Sequence, residues 1–439
     1  MRLFLVKIYL FIKYRKQGIT TNPFSLLNEL EESQYWDRNK IESFQLDHLN
    51  KLFSYSKRNV KYYQQDKYKG ISSISSFESF NKNFPALYKE NIKDNSSILM
   101  SDNVGKRIKH ATSGSTGKPM TIEISGLAEA YRIASRLRFF RWWKVDFYDR
   151  NVLIWRKPKP KSQIFSLLET IKVKLLGKLK LDVFELNKHT VFDYFNKIEK
   201  FKPLYIRGYK SGIYELARLM DINNLQFKKT RLKVVVVTSE ILLEKERDFM
   251  KKVFNCKIAN EYGAADGGQF SFECPDGSMH INEELVYISS DENNNAHVTE
   301  LFNNGMPLIN FKNEDRVTLS NEQCSCGRNL MIISKIEGRT TDYIACKDGT
   351  KKHSLVFVGI FNAIENEYQE SINQFRAIQK GNKLKFEIIA GKNYSDKVEN
   401  LLELLIRQEI CNNIDIEIQL VDQIQREKNG KLRYFIKKG

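Results

Sequence analysis

Two short apolar runs constrain the fold of this chain more than any other feature. Residues 234–237 are four consecutive valines, and residues 152–155 form a similar run, each flanked by polar turn residues. Runs this short, with β-branched side chains, favour buried strands over helices. Helical periodicity occupies residues 191–201 and 212–220, which lie between the two runs. Strands that alternate with helices predict an α/β fold with a largely parallel sheet covered on both faces.

The pattern changes after about residue 280, where the apolar segments become shorter and more strand-like. These segments are residues 285–290, 297–301 and 308–311. The last hundred residues predict a small α+β unit with strands at 384–389 and 414–421 and a helix at 395–410. A chain of 439 residues is long enough for two domains. We predict a large N-terminal domain with parallel-rich sheets and helices over residues 1–341, and a small C-terminal α+β domain over residues 342–439.

The formal net charge of +18 leaves two interpretations open. An excess of this size favours an anionic partner such as nucleotide phosphate or an acidic membrane surface. The alternative is that the lysines, which are scattered along the whole chain, simply solvate the surface. No known nucleic-acid-binding module and no clustered basic–aromatic patch is present, so we expect no nucleic-acid partner.

The first residues combine apolar and basic side chains. Residues 3–12 are apolar except for Lys7, and Lys13, Arg15 and Lys16 follow. The run is too short for a bilayer span, which needs about 20 apolar residues. Residues 1–16 therefore predict a basic amphipathic helix that either lies on an anionic membrane or packs on the protein's own surface. No secretory signal is visible, so we expect a cytoplasmic protein, at the inner face of the membrane if the first alternative holds.

Six cysteines are too few for a disulfide framework in a chain of this size, so reduced thiols are expected. Cys324 and Cys326 form a compact pair, and Cys274 and His280 lie upstream, six residues apart. Four nitrogen and sulfur ligands suit a closed, tetrahedral, structural Zn²⁺ site. The alternative is free thiols and a surface histidine. Of the other three, Cys256 is a substitute ligand, and Cys346 and Cys411 are expected to be ordinary core or surface residues.

The segment from Thr112 to Met120 reads T-S-G-S-T-G-K-P-M. Its two glycines allow tight turning, and its hydroxyls and backbone N–H groups can surround phosphate oxygens. Lys118 adds a positive charge. The segment is not a Walker A loop, because that pattern needs Gly at the position of Thr112 and Ser or Thr at the position of Pro119. It therefore predicts a phosphate-binding loop, and the alternative is an ordinary Ser/Gly-rich loop.

The order T-S-G-S-T-G-K-P resembles the phosphate-binding signature of the acyl-adenylate-forming superfamily. The most similar branch is the phenylacetate–CoA ligase-like group, which includes CapK-type capsular polysaccharide biosynthesis proteins. The resemblance extends over several motifs, roughly residues 85–437, and implies the adenylate-forming enzyme fold. It implies that ATP and Mg²⁺ activate a small carboxylic acid as acyl-AMP, with release of pyrophosphate. The acyl group then passes to a thiol, either CoA or a carrier, and no Ser-His-Asp triad is needed or found.

Two other classes of function stay open besides this AMP-forming acid–thiol ligase. One is an adenylating transferase that delivers the acyl group to a sugar or surface polysaccharide at the membrane. The net charge and the apolar N-terminus favour this alternative. The other is a non-catalytic nucleotide-binding or membrane scaffold, which only the Asp at a position usually held by Glu supports.

The resemblance also assigns nucleotide-binding roles along the chain. Phosphate contacts fall to the loop residues Thr112, Ser113, Gly114, Ser115, Thr116, Gly117 and Lys118. The turn Ser239–Glu240 follows the valine run, at the strand end where α/β sheets bind ligands, and borders the adenine. Glu261, Tyr262 and Gly263 form the second motif, whose Tyr-Gly pair lies against the base. Asp266 helps to bind Mg²⁺ where the family usually has Glu, a longer ligand of the same charge.

Further roles lie towards the C-terminus. By resemblance, Asp315 accepts hydrogen bonds from the ribose hydroxyls, Arg339 reaches nucleotide or phosphate, and Asp342 is a hinge. Lys431 contacts the substrate carboxylate and the α-phosphate, where a positive charge stabilises the transition state. Arg207 is expected near the acyl pocket, paired with an extra acidic group on the substrate. Some phenylacetate–CoA ligase-like proteins also have a similar Cys-x₅-His…Cys-x-Cys set, which supports the zinc interpretation of Cys274, His280, Cys324 and Cys326.

Overall fold

The structure is a computed structural model that describes residues 2–111, 120–146, 148–157, 173, 175–264, 268–339 and 342–438. The chain separates into two compact units. The first consists of Met1–Asn313 and Val317–Ile336, and the second of Glu314–Arg316 and Glu337–Gly439. The domain boundary expected between residues 341 and 342 remains a prediction.

In the described part of the chain, seven helices open the first unit, helices and strands alternate in its middle, and strands alone follow from β7. Its helices are α1 (Arg2–Lys16), α2 (Pro23–Ser33), α3 (Arg38–Asn59), α4 (Asp66–Lys69), α5 (Phe77–Asn83), α6 (Lys89–Asp94), α7 (Ser96–Leu99), α8 (Gly126–Trp142), α9 (Val191–Phe201), α10 (Lys210–Ile222) and α11 (Glu244–Phe254), with a 3₁₀ turn at Lys61–Gln64. The strands are β1 (Ile108–Ala111), β2 (Thr121–Ile124), β3 (Asn151–Trp155), β4 (Lys178–Asp182), β5 (Tyr205–Tyr209), β6 (Val234–Thr238), β7 (Lys257–Ala264), β8 (Gly268–Glu273), β9 (Met279–Ile281), β10 (Val286–Ser290), β11 (Asn295–Glu300), β12 (Phe311–Ser320) and β13 (Ile332–Arg339).

Local sequence explains where helices begin. The Asp37 carboxylate accepts a hydrogen bond from the backbone N–H of Lys40 at 2.9 Å, at the start of α3. The Ser125 hydroxyl accepts one from the backbone N–H of Ala128 at 3.2 Å, at the start of α8. Such side chains satisfy backbone donors that have no partner within the helix, so each fixes its helix start.

An eleven-stranded sheet organises the first unit, in the order β10-β11-β12-β13-β9-β8-β7-β6-β5-β3-β4. Strands β4, β3, β5, β6 and β7 are parallel to one another, as the valine run predicted. From β7 onward through β8, β9 and β13 the pairing is antiparallel, so only part of the sheet is parallel. The α/β fold class is confirmed.

The predicted buried strand at residues 234–237 is covered on both faces. Val235 and Val237 pack in a cluster with apolar residues of α10 and α11. Val234 and Val236 pack on the other face with Phe139 of α8 and its neighbours. All four valines are fully buried, which explains why no polar residue alternates with them.

One predicted strand, at residues 308–311, is wrong. Only Phe311 is in a strand, where it begins β12, and the three residues before it are irregular. Side chains take up the backbone donors there: the Ile309 N–H donates to the Tyr63 hydroxyl at 3.0 Å, and the Asn310 N–H to the Thr299 hydroxyl at 2.9 Å. The apolar residues of this segment therefore pack in the core, although residues 308–310 do not form a β-strand.

The second unit is the predicted α+β unit. Its elements are β14 (Tyr343–Ala345), β15 (Lys351–His353), α12 (Val356–Glu367), β16 (Ile372–Lys380), β17 (Lys383–Ala390), α13 (Asp396–Glu409), β18 (Asp415–Leu420) and β19 (Phe435–Lys438). The four-stranded sheet has the order β18-β17-β16-β19. Phe357 of α12, Leu402 of α13 and Phe386 of β17 meet in one buried core.

The second unit also corrects the expectation that all six thiols are reduced. Cys346 and Cys411 form a disulfide, with Cα atoms 6.3 Å apart, a separation ordinary for such a bond. Cys346 follows β14 and Cys411 follows α13, and both contact the same core. The fold brings together two cysteines 65 residues apart, a proximity that the sequence does not reveal.

Candidate functional site

The carboxyl ends of β5, β6 and β7 form the edge at which the second motif lies. Tyr209, Thr238 and Glu261 occupy neighbouring positions across these three parallel strands. Parallel α/β sheets bind ligands at the carboxyl ends of their strands. The predicted adenine-binding segments, the turn after Thr238 and the Tyr262–Gly263 pair, therefore lie at the edge where such a sheet binds its ligands.

The turn Ser239–Glu240 is bonded to the start of α10. Ser239 has a φ of +74°, an uncommon conformation for a residue other than glycine. The Glu240 carboxylate accepts hydrogen bonds from the backbone N–H of Ser211 at 2.7 Å and from its hydroxyl at 3.0 Å. Because Ser211 lies in the first turn of α10, the anion is stabilised by the positive end of the helix dipole. Glu240 therefore holds the turn in place, and its contact with adenine remains a prediction.

Tyr262 and Gly263 continue β7 beyond this edge. The Tyr262 ring is half-buried and meets Phe270 edge to face, with centroids 5.2 Å apart. A Cβ on Gly263 would lie 2.5 Å from the carbonyl oxygen of Gly268, so the close approach of β8 requires glycine. The two residues thus present a partly exposed aromatic ring beside exposed backbone.

Glu261 makes a buried ion pair with Arg207. Two hydrogen bonds of 2.8 Å join the guanidinium to the two carboxylate oxygens, and the Glu261 side chain is only 6% exposed. Although burial opposes ionisation of Glu261, the charge and hydrogen bonds of Arg207 hold the pKa of that carboxyl below its usual range. The expected pairing of Arg207 with an acidic group of the substrate is therefore corrected, since Glu261 already occupies its fork.

The phosphate loop and the metal-binding acid fall outside the part of the chain that the structure describes. This applies to Thr112, Ser113, Gly114, Ser115, Thr116, Gly117, Lys118 and Asp266. Strands β1 and β2 flank the loop and pair antiparallel, with Ala111 opposite Thr121. Arg339 ends β13, and its side chain is likewise outside the description.

The remaining predicted nucleotide contacts belong to the second unit, which includes the middle of β12, Glu314–Arg316. Asp315 is half-buried in β12, directly after Glu314, whose φ is +69°. Lys431 follows a tight turn in which Gly430 has a φ of +95° and donates its N–H to the Glu427 carbonyl oxygen at 2.8 Å. Asp342, the predicted hinge, forms a 2.7 Å ion pair with Arg433.

Three of the four predicted metal ligands lie on two glycine-containing turns, and the fourth, His280, lies in β9. The N–H of Gly277, with φ +91°, donates to the Cys274 carbonyl at 3.0 Å. The N–H of Gly327, with φ +77°, donates to the Cys324 carbonyl at 3.1 Å, and Cys326 lies between them in the sequence. Both turns need a left-handed residue, which glycine adopts without strain.

The four predicted side chains meet in one cluster. The ligand atoms of Cys274, His280, Cys324 and Cys326 all lie within 4.8 Å of one another. The Cys274 and Cys324 sulfurs are 3.7 Å apart, and His280 Nε2 is 3.2 Å from the Cys326 sulfur. Tetrahedral Zn–S bonds of about 2.3 Å place two sulfurs about 3.8 Å apart, so the cluster has the dimensions of a zinc site.

A neighbouring carbonyl fixes the histidine of this cluster. His280 Nδ1 lies 3.0 Å from the Leu330 carbonyl oxygen. The proton is therefore on Nδ1, which leaves the Nε2 lone pair directed at the thiols, as in most histidine–metal sites. Cys256 is not part of this cluster. The residues present fit a structural zinc ion.

The chain is similar in sequence to known proteins, over its C-terminal part and over nearly its whole length. Residues 348–438 match the CapK C-terminal domain family. Over 438 residues the chain is 23% identical to Protein CapK of Staphylococcus aureus, an alignment that covers 96% of this chain and 94% of that protein. The resemblance to CapK-type proteins is confirmed.

Solved structures are similar to the chain in fold. A 2-hydroxyisobutyryl-CoA ligase in complex with 2-HIB-AMP has a TM-score of 0.71 and 14% identity, over 92% of this chain and 93% of that one. The anthranilate CoA ligase AuaEII with anthranoyl-AMP has a TM-score of 0.51 and 14% identity, over 74% of this chain and 65% of that one. The expected adenylate-forming fold, with its small C-terminal domain, is confirmed.

Two arginines of α8 near this edge were not predicted as site residues. Arg132 forms a buried pair with Glu300 on β11, with contacts of 2.5 and 2.8 Å. Arg136 lies one turn further along α8 and contacts the Gln269 side chain. The signal was available in the sequence, because arginines four residues apart lie on one helix face, and here that face continues into buried aromatic residues.

Proposed function

We propose that the protein activates a small carboxylic acid with ATP. A carboxylate oxygen attacks the α-phosphorus, the bond to the β-phosphate oxygen breaks, and acyl-AMP and pyrophosphate form. A thiol then attacks the acyl carbon and AMP leaves. The observation that supports this most directly is the adenylate-forming fold, with Tyr262 and Gly263 at the carboxyl ends of its parallel strands.

Each predicted residue has its own role in binding ATP or the acid. Tyr262 and Gly263 receive the base, Asp315 binds the ribose hydroxyls, and the loop from Thr112 to Lys118 holds the phosphates. Asp266 would hold Mg²⁺, which neutralises phosphate charge when bound. Lys431 places its ammonium by the reacting carboxylate and α-phosphate, where negative charge is crowded. The acceptor thiol is CoA or a carrier arm.

Acid-dependent exchange of labelled pyrophosphate into ATP tests the first step. We expect exchange with at least one acid of a broad panel. Lys431→Ala should lower its rate by about 100- to 1,000-fold, the loss typical when one electrostatic contact to a transition state is removed. Lys437→Ala is the matched control, because Lys437 is exposed in the same unit and should leave the rate unchanged. No exchange with any acid, or equal rates in both variants, would contradict the proposal.

A second candidate function, acyl transfer to a sugar or polysaccharide at a membrane, draws support from α1. Phe4, Phe11, Ile8 and Ile12 lie on one face of this helix and are 66%, 61%, 41% and 49% exposed. Val6, on the opposite face, is buried against the protein. We propose that the exposed face enters an anionic membrane surface and that Lys13, Arg15 and Lys16, which end the helix, contact lipid headgroups.

No described helix is both long enough and apolar enough to cross a bilayer. The proposed contact is therefore peripheral, at the inner face of the membrane. Sedimentation with anionic vesicles tests it. Phe4→Ser/Phe11→Ser should abolish binding, whereas Leu404→Ser, which changes another exposed apolar residue, on α13, should not. Equal binding of both variants, or binding to neutral vesicles alone, would refute the membrane contact. Product analysis with and without CoA then distinguishes thioester formation from transfer to a sugar hydroxyl.

We further propose that Cys274, His280, Cys324 and Cys326 hold a structural zinc ion. Four protein ligands leave no coordination position open for substrate, which distinguishes a structural from a catalytic site. The ion would join the turn after β8 to the segment before β13, 50 residues further along the chain.

A further inference from the structure

The face of α8 that packs on the sheet carries aromatic side chains towards one end and arginine towards the other. Towards the C-terminal end of the helix, Phe139 stacks on Phe272 at 4.5 Å and Phe140 contacts Tyr205 at 4.9 Å. Towards the N-terminal end, the same face carries Arg136, one turn before Phe140. An apolar interface therefore gives way to a cationic one at the position of Arg136.

This change occurs two residues before the carboxyl end of β5. Phe140 faces Tyr205, the first residue of β5, and Arg207 lies two residues closer to the carboxyl end of that strand. Two strand residues advance about 6.6 Å and four helix residues about 6 Å, so Arg136 lies over Arg207. The charge of Arg207 acts on Arg136, which agrees with this position, and the contact of Arg136 with Gln269 on β8 shows that its guanidinium also reaches the strand next to β7. The guanidinium of Arg136 thus borders the edge to which we assign the nucleotide and the acid.

Arg136 differs from its two neighbours in its partners. Arg132 and Arg207 each have a bidentate carboxylate, Glu300 and Glu261. Among the described residues, Arg136 contacts the neutral side-chain amide of Gln269, whose oxygen accepts from the guanidinium Nε at 2.9 Å when the amide is turned with its oxygen towards Arg136. No described carboxylate lies within 4.0 Å of Arg136.

The surroundings make this arrangement costly without an anion. Burial lowers the pKa of Arg136 from its usual value, and the positive charge of Arg207 lowers it further. Glu261 and Glu129 offset part of this, but Glu261 is already paired with Arg207, and Glu129 lies 3.7 Å from His110. Arg136 is half-buried, and a partly enclosed cation without a paired carboxylate is satisfied when an anionic ligand binds beside it.

We propose that Arg136 binds a second anionic group on the acid that is activated, so that the substrate is a dicarboxylic or a phosphorylated carboxylic acid. This inference rests on the proposed function, because it concerns the acid of that same site. A guanidinium fork matches carboxylate and phosphate equally, and the geometry is that of one anion held away from the reacting carboxylate. Arg136 here replaces Arg207 in the role expected from the sequence.

Pyrophosphate release with paired substrates tests the proposal. Each pair consists of a monocarboxylic acid and the dicarboxylic acid of equal chain length, or of a hydroxy acid and its phosphate ester. The wild-type protein should prefer one charged member. Arg136→Gln should lower kcat/KM for that substrate by about 10- to 150-fold, since a charge-assisted hydrogen bond contributes about 1.5–3 kcal/mol. The same variant should leave the rate with the uncharged partner nearly unchanged.

Two further variants separate recognition from stability. Arg136→Lys keeps the charge and should retain part of the preference, whereas Arg141→Gln removes an exposed arginine of the same helix and should retain all of it. A wild-type protein without preference for charged acids, or an Arg136→Gln variant that loses rate equally with both members of a pair, would overturn the inference. Failure to release pyrophosphate with any acid would instead refute the proposed function.

Discussion

Replacing Glu261 by glutamine should destabilise the first unit while it leaves the shape of the residue almost unchanged. The variant removes the anion from a pair in which both side chains are mostly enclosed, 6% exposed for Glu261 and 18% for Arg207. Breaking a buried pair by removing one partner costs about 3–5 kcal/mol, because the other charge stays buried. Arg207 keeps some contact with solvent, and the amide oxygen of the replacement side chain can still accept one hydrogen bond. We therefore expect a loss at the lower end of this range, about 3 kcal/mol.

Tryptophan fluorescence during urea unfolding measures this loss in the relevant unit alone. All four tryptophans, Trp36, Trp142, Trp143 and Trp155, lie in the first unit. Asp193→Asn is the control, because it breaks an exposed ion pair with Lys197 that should contribute less than about 0.5 kcal/mol. A loss below about 1 kcal/mol for Glu261→Gln would refute the view that this pair is energetically coupled to the fold.

The pH dependence gives an independent check on the same pair. The pKa of Glu261 is lower in the folded protein than its ordinary value of 4.5. A lowered carboxyl pKa contributes stability that is fully present above the unfolded pKa and is lost as the pH falls through the folded pKa. The difference in free energy of unfolding between wild type and Glu261→Gln should therefore be constant near neutral pH and should shrink as the pH falls below about 4.5.

Three other predictions follow from the geometry. Cys326→Ser should abolish the binding of one zinc ion per chain, measured by metal analysis, whereas Cys256→Ser should not; unchanged zinc content would rule out the cluster as the site. Gly263→Ala should destabilise the first unit by about 1–3 kcal/mol in urea, because its Cβ would lie 2.5 Å from the Gly268 carbonyl oxygen, while Gly70→Ala, in open space, should be tolerated. Cys346→Ser should destabilise the second unit by up to about 4 kcal/mol, since the bond closes a loop of 65 residues; unchanged hydrogen exchange in the core strands of that unit would count against this.

Most elements of the fold could be predicted from patterns among neighbouring residues. The valine run of β6 and the periodicity of α9 and α10 are properties of neighbouring residues, so they could be read directly. The cluster of three cysteines and one histidine was also predictable, because two short turns hold three of its four side chains. The segment at residues 308–311 failed, because side chains of distant residues satisfy its backbone donors, and no local pattern records them.

In the candidate site, too, local sequence predicted some features, whereas others depend on residues that only the fold brings together. The Tyr262–Gly263 pair lies at the expected strand end, because a strand followed by a motif fixes that position. The partner of Arg207 could not be predicted, since Glu261 is 54 residues away and lies beside it only after three parallel strands have aligned. The disulfide between Cys346 and Cys411 was missed for the same reason, since its pairing depends on how α13 packs on the sheet.

The face of α8 that packs on the sheet has an aromatic part and a cationic part, and this division affects how the choice of acid substrate can change. Its aromatic residues, Phe139 and Phe140, hold the helix on the sheet through ring contacts, whereas the contact of Arg136 is to a polar side chain. Changes at position 136 can therefore alter which acid is accepted while the aromatic contacts stay in place, a separation that lets one fold acquire many substrates.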